Sequence, residues 1–346
     1  MLRSGVVTDG GAPWVVHSSP AGGRAVGDHS VGCRGPRRDA AGDHRLMDRI
    51  DRIMGVLAEH GGICTREQLL RRGIRGPELS RAVRAGAIRR VRRAHYATYD
   101  APLDAIAAVR VGGRLGCVSA ARSFGIWIPD PGCTHVALPK NAARLRTNRA
   151  LVPSAEPITS DRQLLELELH WCDSAFGRRK TDESAWRVSP RDALAQVARC
   201  ASRLEVIAAF ESAVHQGVLT LTDARQLLAT SAPRRLRGLQ LHGFDGSGAE
   251  TYLADAMRAV GLAFIQQVPF DGAGWVDFIV EGRLAVEVDG YAYHHDRDAF
   301  ERDRRRDAAL LARGIPTLRI PAREVLADPA AAALRVVAAL AGLAAA

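Results

Sequence analysis

The sequence predicts a multidomain α/β protein, and three features carry that expectation. Three short capped helices followed by an alternating strand-like run fill residues 47–99. A helical stretch fills 183–242. The last hundred residues alternate helix and strand in the order α-β-β-β-α-β. At 346 residues the chain is long enough for two or three domains, at about 100–200 residues each.

Composition sets outer bounds. An apolar fraction of 47% and a charged fraction of 25% are average for globular proteins and exclude wholesale disorder. The net charge is +10, and only Lys140 and Lys180 are lysines. Six cysteines (Cys33, Cys64, Cys117, Cys133, Cys172, Cys200) are scattered without a CxxC pair, which argues against a structural zinc site and against a disulfide framework. That usage fits a reduced cytoplasm. No run reaches the ~18 apolar residues of a membrane span. The alanine-rich tail from Ala330, interrupted by Arg335, reads as a terminal helix packed on a domain.

Residues 1–46 are Gly-, Arg- and Ser-rich without apolar periodicity. They read as a disordered or untranslated extension, with Met47 as an alternative start. Ile50, Ile53, Met54, Leu57 and Ala58 then recur at helical spacing up to Gly61-Gly62. Thr65 caps a second helix, with Gln68 completing a capping box and Leu69-Leu70 as its buried side. Pro77 opens a third carrying Leu79, Ala82 and Val83. The alternating run Ile88 to Tyr96 follows, giving the layout of a winged helix-turn-helix over 47–99. Between Thr65 and Arg93 stand ten arginines against Glu67 and Glu78, most of the chain's excess charge. Arg71, Arg72, Arg75, Arg81, Arg84, Arg89, Arg90, Arg92 and Arg93 fall on the parts of this motif that face duplex DNA, where phosphate neutralisation drives binding. Double-stranded DNA is therefore the expected partner.

Residues 100–182 read as mixed α/β: a helix over Leu103 to Val111, a strand at Thr134 to Pro139, another near Leu165 to Trp171. His135 and His170 lack acidic or cysteine partners at ligand spacing and read as structural histidines. A helical connector spans 183–242, and the Gly-rich loop after His242 marks a boundary before 247–346.

The chemistry sits in that last segment. Ser247 opens a helix with Leu253, Met257 and Val260 as its apolar side. Trp275 to Val280 and Leu284 to Gly290 are strands joined by a turn at Glu281-Gly282. Residues two apart on a strand share a face, so Glu287 and Asp289 project together from an apolar run, and a hairpin sets Asp277 beside them. Three converging acids repel one another and are tolerated mainly with a cation between them. Mg²⁺ (or Mn²⁺), which takes oxygen ligands and retains waters, suits phosphodiester hydrolysis. Arg302 and Arg306, four apart, read equally as a surface salt-bridge lattice or as contacts to the scissile phosphate.

Asp277 followed by Glu287 resembles the D…(D/E)-x-K pattern of restriction-endonuclease-like (PD-(D/E)XK) nucleases, except that Asp289 stands at the lysine position. With Tyr291, Tyr293 and His294 it resembles the very-short-patch repair endonuclease branch and its uncharacterised bacterial relatives. That resemblance covers Ser247 to Leu340, including Phe300 to Asp307 and the strand Thr317 to Ile320. It implies a catalytic set of Glu250, Asp277, Glu287, Asp289 and His294, with metal on Asp277, Glu287 and Asp289 and proton transfer at His294. His60-Gly61-Gly62, Thr65-x-x-Gln68-Leu69 and Val91 to Tyr96 resemble the winged helix of the abortive-infection AbiEi antitoxin family over about fifty residues. This second resemblance implies a cognate toxin protein as a further partner. A DNA-binding, Mg-dependent endonuclease is thus expected, and a homodimer is compatible with it. The alternative is a non-cleaving transcriptional regulator or type IV toxin–antitoxin antitoxin with a degenerate nuclease domain.

Overall fold

A computed structural model describes residues 40–142, 145, 166–172, 184–242, 247–270, 274–290, 304 and 306–345. By internal contacts the chain divides into two units, 1–115 with 136–187, and 116–135 with 188–346.

The first unit opens with α1 (Ala40–Glu59), β1 (Ile63–Thr65), α2 (Arg66–Arg71), α3 (Gly76–Arg84), β2 (Arg89–Arg92) and β3 (His95–Ala97). Thr65 and Gln68 close the predicted capping box, Gln68 N–H donating to Thr65 Oγ1 and Thr65 N–H to Gln68 Oε1. Ile53, Leu57, Leu69, Ile74, Leu79 and Ile88 bury together beneath these helices. Two details depart from the sequence reading. Leu70 is exposed, because a six-residue helix turns one side inward and Leu69 takes it. Residues Ile63–Thr65, read only as a helix entry, pair antiparallel with β3 and complete a three-stranded sheet of order β1-β3-β2. Beyond lie α4 (Leu103–Val111), β4 (Arg114–Leu115), β5 (Thr134–Pro139) and β6 (Leu167–Cys172); α4, β5 and β6 fall close to the expected bounds, β4 is additional, and the first two residues of β5 count with the second unit.

The second unit begins with α5 (Cys117–Ser123) and the connector helices α6 (Pro190–Cys200), α7 (Arg203–His215) and α8 (Leu221–Ser231). Ser189, Ser202 and Thr220 each accept a backbone N–H at the starts of α6, α7 and α8, so three hydroxyl caps set the helix boundaries. The C-terminal part then runs α9 (Gly248–Ala259), β7 (Phe264–Phe270), β8 (Gly274–Val280), β9 (Leu284–Asp289), α10 (306–311), β10 (Thr317–Pro321), α11 (Ala322–Ala327) and α12 (Pro329–Ala345). This is the predicted α-β-β-β-α-β order. The sheet order is β10-β9-β8-β7, with β10 parallel to β9 and the other pairs antiparallel. Glu281 and Gly282, at φ 52° and 65°, make the tight turn that joins β8 to β9.

Alternation sorts the strand side chains onto two faces. Phe278, Val280, Leu284, Val286 and Ile320 meet Leu253 and Met257 of α9 and Ala332, Ala333 and Val336 of α12. Ile279 and Ala285 meet Leu310 of α10 on the other face, and Val276 joins them although its position two before Phe278 departs from strict alternation. The alanine-rich tail thus packs as a terminal helix, and no helix among the described residues is long and apolar enough to cross a membrane. Val260, expected on the apolar side of α9, is 42% exposed because the helix has ended at Ala259.

The connector also touches this core: Ala208 of α7 is buried in it, Arg203 donates to Asp255 at 2.7 Å, and Trp127 meets Tyr252 edge to face. The indole of Trp127 lies directly on Gly248, where a Cβ would overlap the ring. Gly248→Ala is therefore expected to lower stability by about 1–3 kcal/mol or more through overpacking. Gly55→Ala, inside α1 with nothing within 4 Å of the added Cβ, should instead be neutral or stabilising by up to about 1 kcal/mol. Urea unfolding of both variants checks the contrast.

Candidate active site

Glu250, Asp277 and Glu287 approach one another where β8 and β9 part. The β8–β9 ladder pairs Val280 with Leu284, Ile279 with Ala285 and Phe278 with Val286, and its register ends there. One step further, the Asp277 carboxylate accepts the Val288 backbone N–H at 2.8 Å, so a side chain takes over from the ladder. The same position disturbs β7. Gln266 pairs with Phe278 and Val268 with Val276, but Gln267 between them is left-handed at φ 49°. That conformation strains a residue with a side chain. It coincides with a bond from Gln267 Nε2 to Glu250 Oε2 at 2.8 Å.

Glu250 is held from both sides. It is the N3 residue of the α9 capping box, and its Oε1 accepts the Ser247 N–H at 2.9 Å while Gln267 takes Oε2. Only 6% of it is exposed, as of Glu287. Glu287 is flanked by cations: Arg306 of α10 donates to Oε1 at 3.0 Å and Arg319 of β10 to Oε2 at 3.1 Å. Arg319 also grips Asp307 through two bonds of 2.7 and 2.9 Å. Among the described residues, four carboxylates therefore face two guanidiniums, an excess of two negative charges. The strain shows at Asp277, whose carboxyl is pushed up to about 6, first by burial and next by the Glu250 charge, with Glu287 adding to it and the Val288 N–H and Arg306 opposing.

Burial separates the acids that the sequence groups together. Asp289, at the end of β9, is exposed, whereas Glu287 is buried. Among the described residues no trio of carboxylates closes to within 4.8 Å of one another. Glu287 obtains its positive partners from the chain itself, and Arg306 is one of them. His294 and Arg302 lie outside the described residues. Gln267, Asp307 and Arg319 were not singled out from the sequence as parts of the site. A glutamine in a strand and a charged pair twelve residues apart give no periodic signal, although Arg319 does interrupt an otherwise apolar strand.

In the first unit, Arg71, Arg72, Arg75, Arg81, Arg84, Arg90 and Arg93 are exposed, as a phosphate-facing surface needs. Several also pair locally: Arg71 with Glu67, Arg72 with Glu59 at 2.7 Å, Arg75 with Glu78 at 3.7 Å. Arg89 and Arg92 are half-buried, and Arg89 donates to Thr98 O and Tyr99 O and lies over the Tyr99 ring.

The elevated Asp277 carboxyl has a stability consequence of definite sign. A carboxyl raised in the folded state stabilises the fold at low pH, and that contribution is lost as pH rises through about 6. Without divalent metal, Asp277→Asn, which can still accept the Val288 N–H, is expected to be more stable than wild type at pH 8 by about 1–3 kcal/mol and to converge with it below pH 4. Chemical denaturation across that pH range checks this. Arg319→Ala, which leaves buried Glu287 with Arg306 alone and takes two bonds from half-exposed Asp307, should cost about 1–3 kcal/mol at neutral pH, read from the same unfolding curves.

A family model described as REase_MTES_1575 matches residues 250–340, a restriction-endonuclease-like domain that begins at Glu250 and takes in Asp277, Glu287, Arg306, Asp307 and Arg319. No curated protein matches the chain.

Proposed function

We propose that the chain is a metal-dependent endonuclease that hydrolyses phosphodiester bonds in DNA. The observation that carries this reading is the only partly neutralised acidic pocket at Glu250, Asp277 and Glu287 inside the segment that matches a restriction-endonuclease-like family. The donor set fits a hard divalent cation: the ligands are carboxylate oxygens, two negative charges are in excess, and Asp277 holds its proton unusually tightly without one. Asp277 and Glu287 would hold Mg²⁺ or Mn²⁺, with Asp289 at the strand end and Glu250 beside them. Such an ion, when bound, supplies Lewis-acid polarisation of the phosphodiester.

The remaining work falls to the protein's own groups. The Val288 N–H fixes the Asp277 carboxylate, Gln267 and the Ser247 N–H fix Glu250, and Arg306 and Arg319 fix Glu287. A pocket held this way needs little reorganisation when substrate arrives. His294, an imidazole able to change protonation near neutral pH, is assigned to take the proton of the attacking water. Arg302 is assigned to the scissile phosphate, while Arg306 positions Glu287. Helices α1–α3 with β2 and β3 are read as a winged helix-turn-helix whose exposed arginines bring the duplex to the enzyme.

A second reading, a DNA-binding regulator or antitoxin that does not cut and pairs with a toxin, is favoured by one observation: Glu287 already has two guanidinium partners. A single assay separates the two. Supercoiled plasmid, nicked and mismatched duplexes are incubated with the purified chain and Mg²⁺ or Mn²⁺. Cleavage that stops with chelator and falls about a hundredfold or more in Asp277→Ala is expected. No cleavage of any substrate, or an Asp277→Ala chain that cuts like wild type, contradicts the nuclease.

A further inference from the structure

Away from the acidic pocket, the second unit gathers soft ligands. Cys117, His135 and Cys200 each place a ligand atom within 4.8 Å of the others'. Cys117 and His135 are buried, while Cys200 is exposed at the end of α6. We propose that these three side chains bind a structural zinc ion.

The scaffold around them supports a built site. Cys117 is the first residue of α5, with a left-handed backbone at φ 45°, and its N–H donates to Gln196 Oε1 at 2.8 Å. Gln196 is buried on α6 four residues before Cys200, so one helix face supplies both the group that fixes Cys117 and the second sulfur. The His135 N–H donates to Ser119 Oγ at 2.9 Å, which ties the strand carrying the imidazole to α5. Cys133 Sγ, 3.6 Å from His135 Nε2, adds another sulfur beside the ring. Two thiolates and an imidazole are a donor set for zinc and a poor one for Mg²⁺. In a tetrahedral site with Zn–S and Zn–N distances of about 2.3 and 2.0 Å, the ligand atoms lie roughly 3.3–3.8 Å apart, which the observed grouping accommodates. The fourth position takes a water or a further donor. The ion would clip α5, α6 and the start of β5 together, three segments that the sequence separates by up to 83 positions. This corrects the cysteine reading: ligands drawn one each from a helix start, a strand and a helix end leave no CxxC signature.

The test uses the full chain purified in reducing buffer without chelator. Elemental analysis should find one zinc per chain, and cobalt substitution should give thiolate-to-metal absorption that disappears in Cys117→Ser. Cys200→Ser, at an exposed helix end and so tolerated by the fold, should bind zinc about a hundredfold more weakly in chelator competition. Asp277→Ala should keep its zinc, which makes this site independent of the acidic pocket. A chain that purifies without zinc and shows no thiolate–cobalt absorption overturns the proposal. So does a Cys200→Ser chain with undiminished affinity, or a mass lower by two hydrogens from a Cys117–Cys200 disulfide.

Discussion

Excess negative charge, trapped where β8 and β9 separate, is the constraint around which the C-terminal domain is arranged. The two strands cannot continue their ladder past Phe278 and Val286 without setting Asp277 directly against Glu287. The Asp277 carboxylate instead takes the Val288 N–H, Gln267 adopts a strained backbone, and Glu250 is drawn in from the start of α9. Arg306 and Arg319 neutralise part of the charge and Asp307 adds to it. A fold optimised for stability alone would have apolar residues here, since buried ion pairs seldom repay their desolvation. Retaining an excess of acid beside a buried sheet makes physical sense when the missing charge arrives with a ligand.

Much of this was legible in the sequence, for reasons that are local. The helix start at Ser247, the turn at Glu281-Gly282, and the valine-rich strands around Asp277 and Glu287 are short-range patterns, and each corresponds to an observed element. What stayed hidden depends on tertiary contact. Arg319 reaches Glu287 only because β10 runs parallel to β9, placing Arg319 opposite Glu287 in the register, and thirty-two residues of sequence conceal that neighbour. Gln267 matters through a backbone conformation that no periodicity announces. Alternation also says nothing of depth: two residues after the buried Glu287 the strand ends, and Asp289 is exposed there.

The first unit follows a different economy. Its arginines are mostly exposed, and three of them are held by glutamates on the same small set of helices. Exposed pairs of this kind are worth little and exchange readily for other anions. A phosphate backbone can therefore recruit Arg71, Arg72 and Arg75 at small cost, while Arg89 is committed to the fold through Thr98 and Tyr99. In the function proposed above, the exposed charge of the first unit would meet a polyanion and the buried acid of the second would meet a cation.

Titration of the full chain with Mn²⁺, followed by its paramagnetic resonance signal, tests the acidic pocket most directly, because it reads ion binding without requiring the right nucleic acid. The account predicts one bound ion per chain whose signal is lost in both Asp277→Asn and Glu287→Gln, and kept in Cys200→Ser. Mn²⁺ that fails to bind, or binds equally well to both carboxylate variants, would contradict it.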